Sequence, residues 1–319
     1  MPKPSNDRHV ELLAPAGSLE SAKAALEAGA DAIYAGVTNL SMRPKRVEFT
    51  DDMLVELVAF THSLGKRIFI TANTCVKDAD WGLLEYWVEK IAAAGADAII
   101  MSDVAAMRFV VANYPELPVH VSVMSTVANA ESARFYEELG ASVVVVARSV
   151  GDLEEVRKIR EAVGIGLEVF VHGGICYIYD GNCYMSSYWK QEMKLDPDLG
   201  RLRPFGQNNS KGECHLICKR KFSLTQDGKE IDSGLLLRRD DMVGLDLIPA
   251  YLDLGVSIFK IEGRAMSLDY IRDGVRLYRE AIDLALADPS RYAVREEWAP
   301  AVAELLRARF DYERAWHIG

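Results

Sequence analysis

One junction recurs along this 319-residue chain, and it restricts the fold more than any other feature: an apolar helical stretch, a Gly, and then a β-rich apolar run. Leu26-Glu-Ala-Gly-Ala-Asp-Ala-Ile-Tyr34 and Ile91-Ala-Ala-Ala-Gly-Ala-Asp-Ala-Ile-Ile100 nearly repeat each other. Glu138-Leu-Gly-Ala-Ser-Val-Val-Val-Val146 and Asp253-Leu-Gly-Val-Ser-Ile-Phe259 follow the same grammar. Gly ends a helix because it enters the left-handed conformation without a Cβ clash. Extending the pattern predicts strands near 10–14, 31–37, 67–73, 97–102, 119–124, 142–147, 167–172 and 256–262. Their near-continuous apolar character suits strands buried on both faces, and Leu54, Leu57, Val58 and Leu64 show the helical spacing between them. Eight such units read as an α/β protein of the (β/α)₈ TIM-type barrel class, with a doubly wound open sheet as the alternative.

The seventh unit is abnormal, since about eighty residues separate its strand from the next. Four of the chain's five cysteines, Cys176, Cys183, Cys214 and Cys218, fall in that insertion, with gaps of six, thirty and three residues. Four thiolates complete the shell of a zinc ion or an iron–sulfur cluster, and the wide first gap leans toward a cluster. Buried free thiols and disulfides are the competing readings. Disulfides are disfavoured because Met1–Asp7 is polar and lacks the apolar core of a secretory signal, so the cytoplasm is the expected compartment. Within the insertion, Asp227-Gly228 between strand-like residues predicts a hairpin over 222–231, and 246–254 supplies the delayed helix. The expected organisation is a flexible 1–8, a single barrel domain over 9–289 containing the cluster-binding insertion 173–245, and a C-terminal helical tail over 290–319.

Barrel enzymes work at the C-terminal ends of their strands. There the sequence places Asn73 and Cys75 after strand three, Asp103 after four, Ser122 and Ser125 about the end of five, Arg148 after six, His172 at seven, and Lys260, Glu262 and Arg264 at eight. Arg43 lies in the loop after strand two. Singly each has a plain structural role, such as a helix N-cap for Asp103 or a strand-end ion pair for Glu262 with Arg264. Jointly, the cations converging beside a thiol-rich insertion suit an anionic substrate. Cys75 reads as an inert packed thiol, and the sequence contains no His-Glu-x-x-His, Gly-x-Ser-x-Gly or P-loop motif. A formal net charge of −10 argues against broad binding to a phosphate backbone, with Lys219-Arg220-Lys221 read as a solvated loop. No run reaches the length of a membrane span.

Glu11-Leu-Leu-Ala-Pro-Ala-Gly-Ser18, Leu167-Glu-Val-Phe-Val-His-Gly-Gly-Ile-Cys176, Gly181-Asn-Cys-Tyr-Met-Ser-Ser187, Lys211-Gly-Glu-Cys-His-Leu-Ile-Cys-Lys219 and Phe259-Lys-Ile-Glu-Gly-Arg264 together resemble the collagenase-like (U32) peptidase family. The resemblance implies a [4Fe–4S] cluster on Cys176, Cys183, Cys214 and Cys218. Despite the family's name, it also implies oxygen-independent hydroxylation with prephenate as hydroxyl donor. It is nearest the anaerobic ubiquinone-biosynthesis branch, on Tyr184-Met-Ser-Ser-Tyr188, His120-Val-Ser-Val123 and a chain that ends soon after the barrel, which implies a small aromatic or quinone precursor as acceptor and makes nucleic acid an unexpected partner. On that reading His172 and Glu262 serve catalysis, while Arg43, Asn73, Asp103, Arg148, Lys260 and Arg264 serve substrate binding. Departures from the family pattern are Met124 in place of a Gln, Ser210-Lys-Gly212 in place of Asn-Arg-Gly, Lys219 in place of Arg, and the absence of an insertion between the third and fourth cysteines. A U32-type peptidase, or a non-catalytic cluster-binding subunit serving a paralogous U32 partner, are the alternatives.

Overall fold

The computed structural model describes residues 10–42, 48–150, 152–189, 192–197, 200–205 and 212–315. Eight parallel strands form the barrel: β1 (Glu11–Pro15), β2 (Ala32–Val37), β3 (Arg67–Ala72), β4 (Ala98–Met101), β5 (Val119–Val121), β6 (Val143–Val145), β7 (Gly166–Gly174) and β8 (Ile258–Ile261). β1 pairs with β2 on one side, Leu13 opposite Ala32, and with β8 on the other, Glu11 opposite Ile258, so the sheet closes on itself. Closure excludes the doubly wound alternative. Helices α1 (Leu19–Glu27), α2 (Asp51–Ser63), α3 (Trp81–Ala94), α4 (Val104–Asn113), α5 (Ala130–Glu138), α6 (Leu153–Ala162), α7 (Ile248–Asp253) and α8 (Leu268–Ala287) surround it, followed by α9 (Ala299–Ala315). No helix among the described residues is long and apolar enough to cross a membrane.

Side-chain alternation divides the core in two. Leu12, Ile33, Ile68, Ile70, Leu167 and Phe259 face the helices, whereas Leu13, Tyr34, Phe69, Ile100 and Ile258 fill the barrel. Above the second set lies a layer of Val123, Val145 and Phe170. Both faces of a strand are therefore apolar, which is why the sequence reads as continuous hydrophobic runs rather than as alternation.

Several strands are shorter than the periodic reading, and at two the difference shapes the site. β5 ends at Val121, because Ser122 turns the chain into a short 3-10 segment, Val123–Ser125, accepting a hydrogen bond from the Met124 amide on its own Oγ. β7 runs to Gly174 and carries the strand Asp241–Val243 antiparallel on its end, so the insertion both leaves and rejoins the barrel here. The predicted hairpin forms as Phe222–Gln226 and Lys229–Gly234, with Asp227 and Gly228 at φ of 50° and 75° in the turn.

Candidate functional site

Two cavities adjoin at the C-terminal mouth of the barrel. The first, about 490 Å³, is lined by Tyr34, Thr71, Asn73, Ser122, Val123, Phe170, Lys260 and Arg264. The second, about 690 Å³, lies under the insertion and is lined by all four clustered cysteines together with Met124, Tyr177, Tyr179 and Lys219. Met42, Arg148 and Glu262 line both. The strand ends thus carry the cationic pocket, and the insertion roofs it with thiols.

Arg264 donates to Ser41 Oγ and Thr71 Oγ1, each at 2.8 Å, and it lies against backbone at Gly36: a Cβ there would fall 2.2 Å from its Nη1. Only glycine lets β2 pass so close. Asn73 is fixed at both ends, accepting from the Met42 amide at 3.1 Å and donating to Ser122 Oγ at 3.0 Å. Lys260 is buried, its ammonium 2.6 Å from Glu168 Oε1 and 4.3 Å from the centre of the Tyr34 ring. Burial lowers its pKa, and Glu168 opposes that shift.

Arg148 joins the two cavities. Its Nε donates to Asp180 Oδ1 at 3.0 Å, its Nη2 reaches both Asp180 and Cys176 Sγ, the latter at 3.2 Å, and its guanidinium lies 4.9 Å from the Phe170 ring centre. Asp180 is itself buried. This fork is therefore committed to protein partners, and it orients a thiol as much as it faces the pocket.

Glu262 accepts from the Gly174 amide at 2.9 Å and pairs with Arg309 Nη2 at 2.8 Å. Gly173, at φ +133°, makes room, since a Cβ there would lie 2.5 Å from Glu262 Cβ. Arg309 comes from α9 and also meets Asp241 at 3.3 Å and Glu313 at 3.4 Å, while Glu313 takes Arg238 at 3.1 Å and Lys219, next to Cys218, at 3.5 Å. The last helix is thus wired into the site. Lys219 is buried in this network, which corrects the expectation of a solvated basic loop: the carboxylate of Glu313 supplies the partner that makes burial affordable.

Of the residues expected at the mouth, Asn73, Arg148, Lys260, Glu262 and Arg264 line the cationic pocket. His172 does not. A bulge in the pairing of β7 with β8, where Lys260 opposes Phe170 but Ile261 opposes His172, turns the imidazole out of the barrel toward α8. There it sits 5.8 and 5.4 Å, centre to centre, from the rings of Tyr270 and Tyr278, with Nδ1 3.2 Å from Tyr278 Oη. Burial and then Arg309 lower its pKa to about 4, so it is a neutral packing group rather than a pocket base. Asp103 caps α4 through the amides of Ala105 and Ala106 and also holds the Val76 amide, which leaves its carboxylate spent on backbone and off the pocket lining. Arg43 lies outside the described residues. Asp180, Arg238, Asp241, Arg309 and Glu313 were not anticipated. The available signal was helical spacing: Leu305, Arg309 and Glu313 repeat every four residues, a buried stripe continued in charged side chains.

All five cysteines are free. Cys176 and Cys218 have thiol pKa values raised by burial, with Cys214 adding to both shifts. Cys183 Sγ accepts from the Ser186 amide at 3.3 Å. Among the described residues no three Cys, His, Asp or Glu side chains converge closely enough for a single metal ion; the four thiols instead surround a cavity. That donor set fits an iron–sulfur cluster, which takes one thiolate at each corner of an extended body and stabilises the deprotonated sulfur that burial alone disfavours.

A closed barrel with an anion-suited pocket at its C-terminal mouth, roofed by clustered thiols, defines a TIM-barrel protein of the cysteine-bearing kind. The chain belongs to peptidase family U32, whose model matches residues 17–315. An uncharacterized protease of Methanocaldococcus jannaschii is 33% identical over 313 residues, which cover 95% of this chain and 72% of that protein. tRNA hydroxylation protein P1 of Bacillus subtilis is 30% identical, with 90% of this chain and 66% of that protein covered. The chain therefore spans about two thirds to seven tenths of these relatives. The solved structure of the U32 peptidase Mk0906 superposes with a TM-score of 0.52 at 15% identity, over 82% of this chain and 96% of that one, a likeness of fold.

Proposed function

We propose that this protein is an oxygen-independent hydroxylase that carries a [4Fe–4S] cluster on Cys176, Cys183, Cys214 and Cys218 and takes prephenate as the hydroxyl donor in the adjoining cationic pocket. The observation that carries this reading is the shared wall: Arg148 and Glu262 belong to both cavities, so a donor in one lies beside whatever the thiols hold in the other. When bound, such a cluster supplies one-electron chemistry. The chain's own residues bind and orient. Arg264 offers a planar fork for a carboxylate, Asn73 and Ser122 offer neutral hydrogen-bonding groups, and Glu262, held by Gly174 and Arg309, is the carboxylate placed to move a proton at the shared wall. Tyr34 and Phe170 supply apolar faces for a ring. The hydroxylation named for the Bacillus relative supports the reaction class. The acceptor is a planar ring, either a quinone precursor or, by analogy with that relative, an RNA base.

The peptidase reading finds less support. Cys75 is exposed, not packed as expected, yet its thiol pKa is raised, by partial desolvation and then by Asp103, opposite to what an activated nucleophile needs. Anaerobic purification with a visible spectrum, iron and sulfide analysis, and calorimetry with prephenate tests the proposal. A brown protein that binds prephenate is expected. A colourless protein with stoichiometric zinc, or gelatin cleavage lost in Cys75→Ala, would overturn it.

A further inference from the structure

Lys260 does more than face an anion. Its ammonium is buried at the pocket wall and makes its ion pair with Glu168 Oε1 at 2.6 Å, while Glu168 Oε2, also buried, has no hydrogen-bond partner. His120, buried nearby in the barrel with its ring 4.7 Å from that of Phe69, likewise leaves Nδ1 without a partner. A structural ion pair in a packed core would be expected to use the remaining lone pairs of its carboxylate. Here one oxygen is occupied and the other is open, beside an amine that reaches a cavity.

We propose that Lys260 is a carbonyl-reactive amine that forms a reversible imine with a small α-keto acid held in the cationic pocket. Glu168 accepts a proton from the Lys260 ammonium, and the freed nitrogen attacks the ketone carbon, the attached nitrogen then passing one of its two protons to the new alkoxide to give the neutral carbinolamine. Glu168 then returns a proton to the carbinolamine hydroxyl, which leaves as water and yields the iminium. The amine and the ketone condense with loss of one water, with no oxidant or reductant, and Glu168 ends as the carboxylate it began. Arg264, in the same pocket, is the partner for the carboxylate of the keto acid, which sets the carbonyl beside Nζ. The barrel makes the amine suitable, since the rings of Tyr34 and Phe170 stand 4.3 and 5.5 Å from Nζ and exclude water from it. The inference rests on the proposed reading only in that prephenate is itself an α-keto acid.

Pyruvate plus sodium cyanoborohydride, added to the anaerobically purified full chain, is the probe. Intact mass and peptide mapping should find one reduced adduct on Lys260. Lys260→Arg should abolish it, with thermal melting to check folding. Glu168→Gln should slow trapping roughly 10²-fold, the scale of a lost general base, while keeping the amine. Absence of any adduct, or labelling spread over surface lysines at the same level in wild type and Lys260→Arg, overturns the imine, and mapping of the wild type decides this even where the variant misfolds. Prephenate that binds by calorimetry without trapping removes the imine and leaves the hydroxylase reading standing. Trapped pyruvate without prephenate binding does the reverse.

Discussion

The barrel wall and the insertion that roofs it keep their order by different means. In the wall, eight strands bury apolar side chains on both faces, and the internal charged groups pair closely, as Lys260 does with Glu168 at 2.6 Å. In the insertion, the hairpin over 222–234 is largely exposed, including Leu224 and Ile231, and beside a short buried apolar pair, Leu216 and Ile217, the buried contacts include the ion pairs of Arg148 with Asp180 and of Lys219 and Arg238 with Glu313. A two-stranded ribbon has little stability alone. The wall is thus stabilised by area removed from water, the roof by cross-links, and cross-links can be removed one at a time.

The largest expected effect follows from the thiols. Changing any of Cys176, Cys183, Cys214 or Cys218 to Ser should bleach the brown chromophore of the anaerobic protein, because a hydroxyl replaces a soft thiolate poorly. Limited proteolysis should then cut within 175–243 while far-ultraviolet dichroism still reports a folded barrel. Unfolding of the whole chain on loss of one thiol would erase the distinction between wall and roof.

Arg309→Met attacks the roof from α9. It removes one cation from Glu262, Asp241 and Glu313 at once, leaving Arg238 on Asp241 and Arg238 with Lys219 on Glu313, and breaking a buried charge network costs about 3 to 5 kcal/mol, read from denaturant unfolding. Arg307→Met, on the same helix but paired with Glu304 in solvent, should leave the denaturant midpoint close to that of the wild type. Equal costs would show that α9 is merely packed on the barrel.

Pocket residues belong to the wall, so their loss should spare the roof. Arg264→Ala should weaken prephenate binding by about 2 to 5 kcal/mol, read by calorimetry, with the cluster spectrum unchanged. Gly36→Ala tests the same side chain without touching it, since its methyl would lie 2.2 Å from Arg264 Nη1 and push the fork aside. Binding that survives both changes would move the anion site elsewhere.

The wall was the legible half. Its eight strands follow from the Gly-terminated junctions, because burial on both faces leaves an apolar run that a single sequence displays. The position of the four cysteines about one cavity was equally open to reading from their clustering in the seventh unit. What stayed hidden depends on local breaks of period and on distance along the chain. Alternation from Glu168 and Phe170 aims His172 into the barrel, but the bulge adds one residue and reverses it. Arg309 reaches Glu262 from 47 residues further along the sequence, on a helix whose charged face looks like any solvated one until its partners are known.

That bulge provides the finest test, comparing a histidine inside the wall with one behind it. His120 and His172 are both buried and neutral, with pKa values lowered to about 3 and about 4 by burial first, then by Lys260 for His120 and by Arg309 for His172. The unfolded chain has histidines near pH 6.5, so it takes up protons that the folded chain refuses. Stability from each is fully present above that pH and is lost as pH falls toward the folded values, by roughly 2 to 3 kcal/mol per histidine at about pH 4.5. In His172→Gln the dependence of unfolding free energy on pH between about 4.5 and 6.5 should fall by one proton relative to wild type, with the share due to His120 remaining. An unchanged slope would mean that His172 titrates in the folded protein as it does in water, and would return the imidazole to solvent or to the pocket.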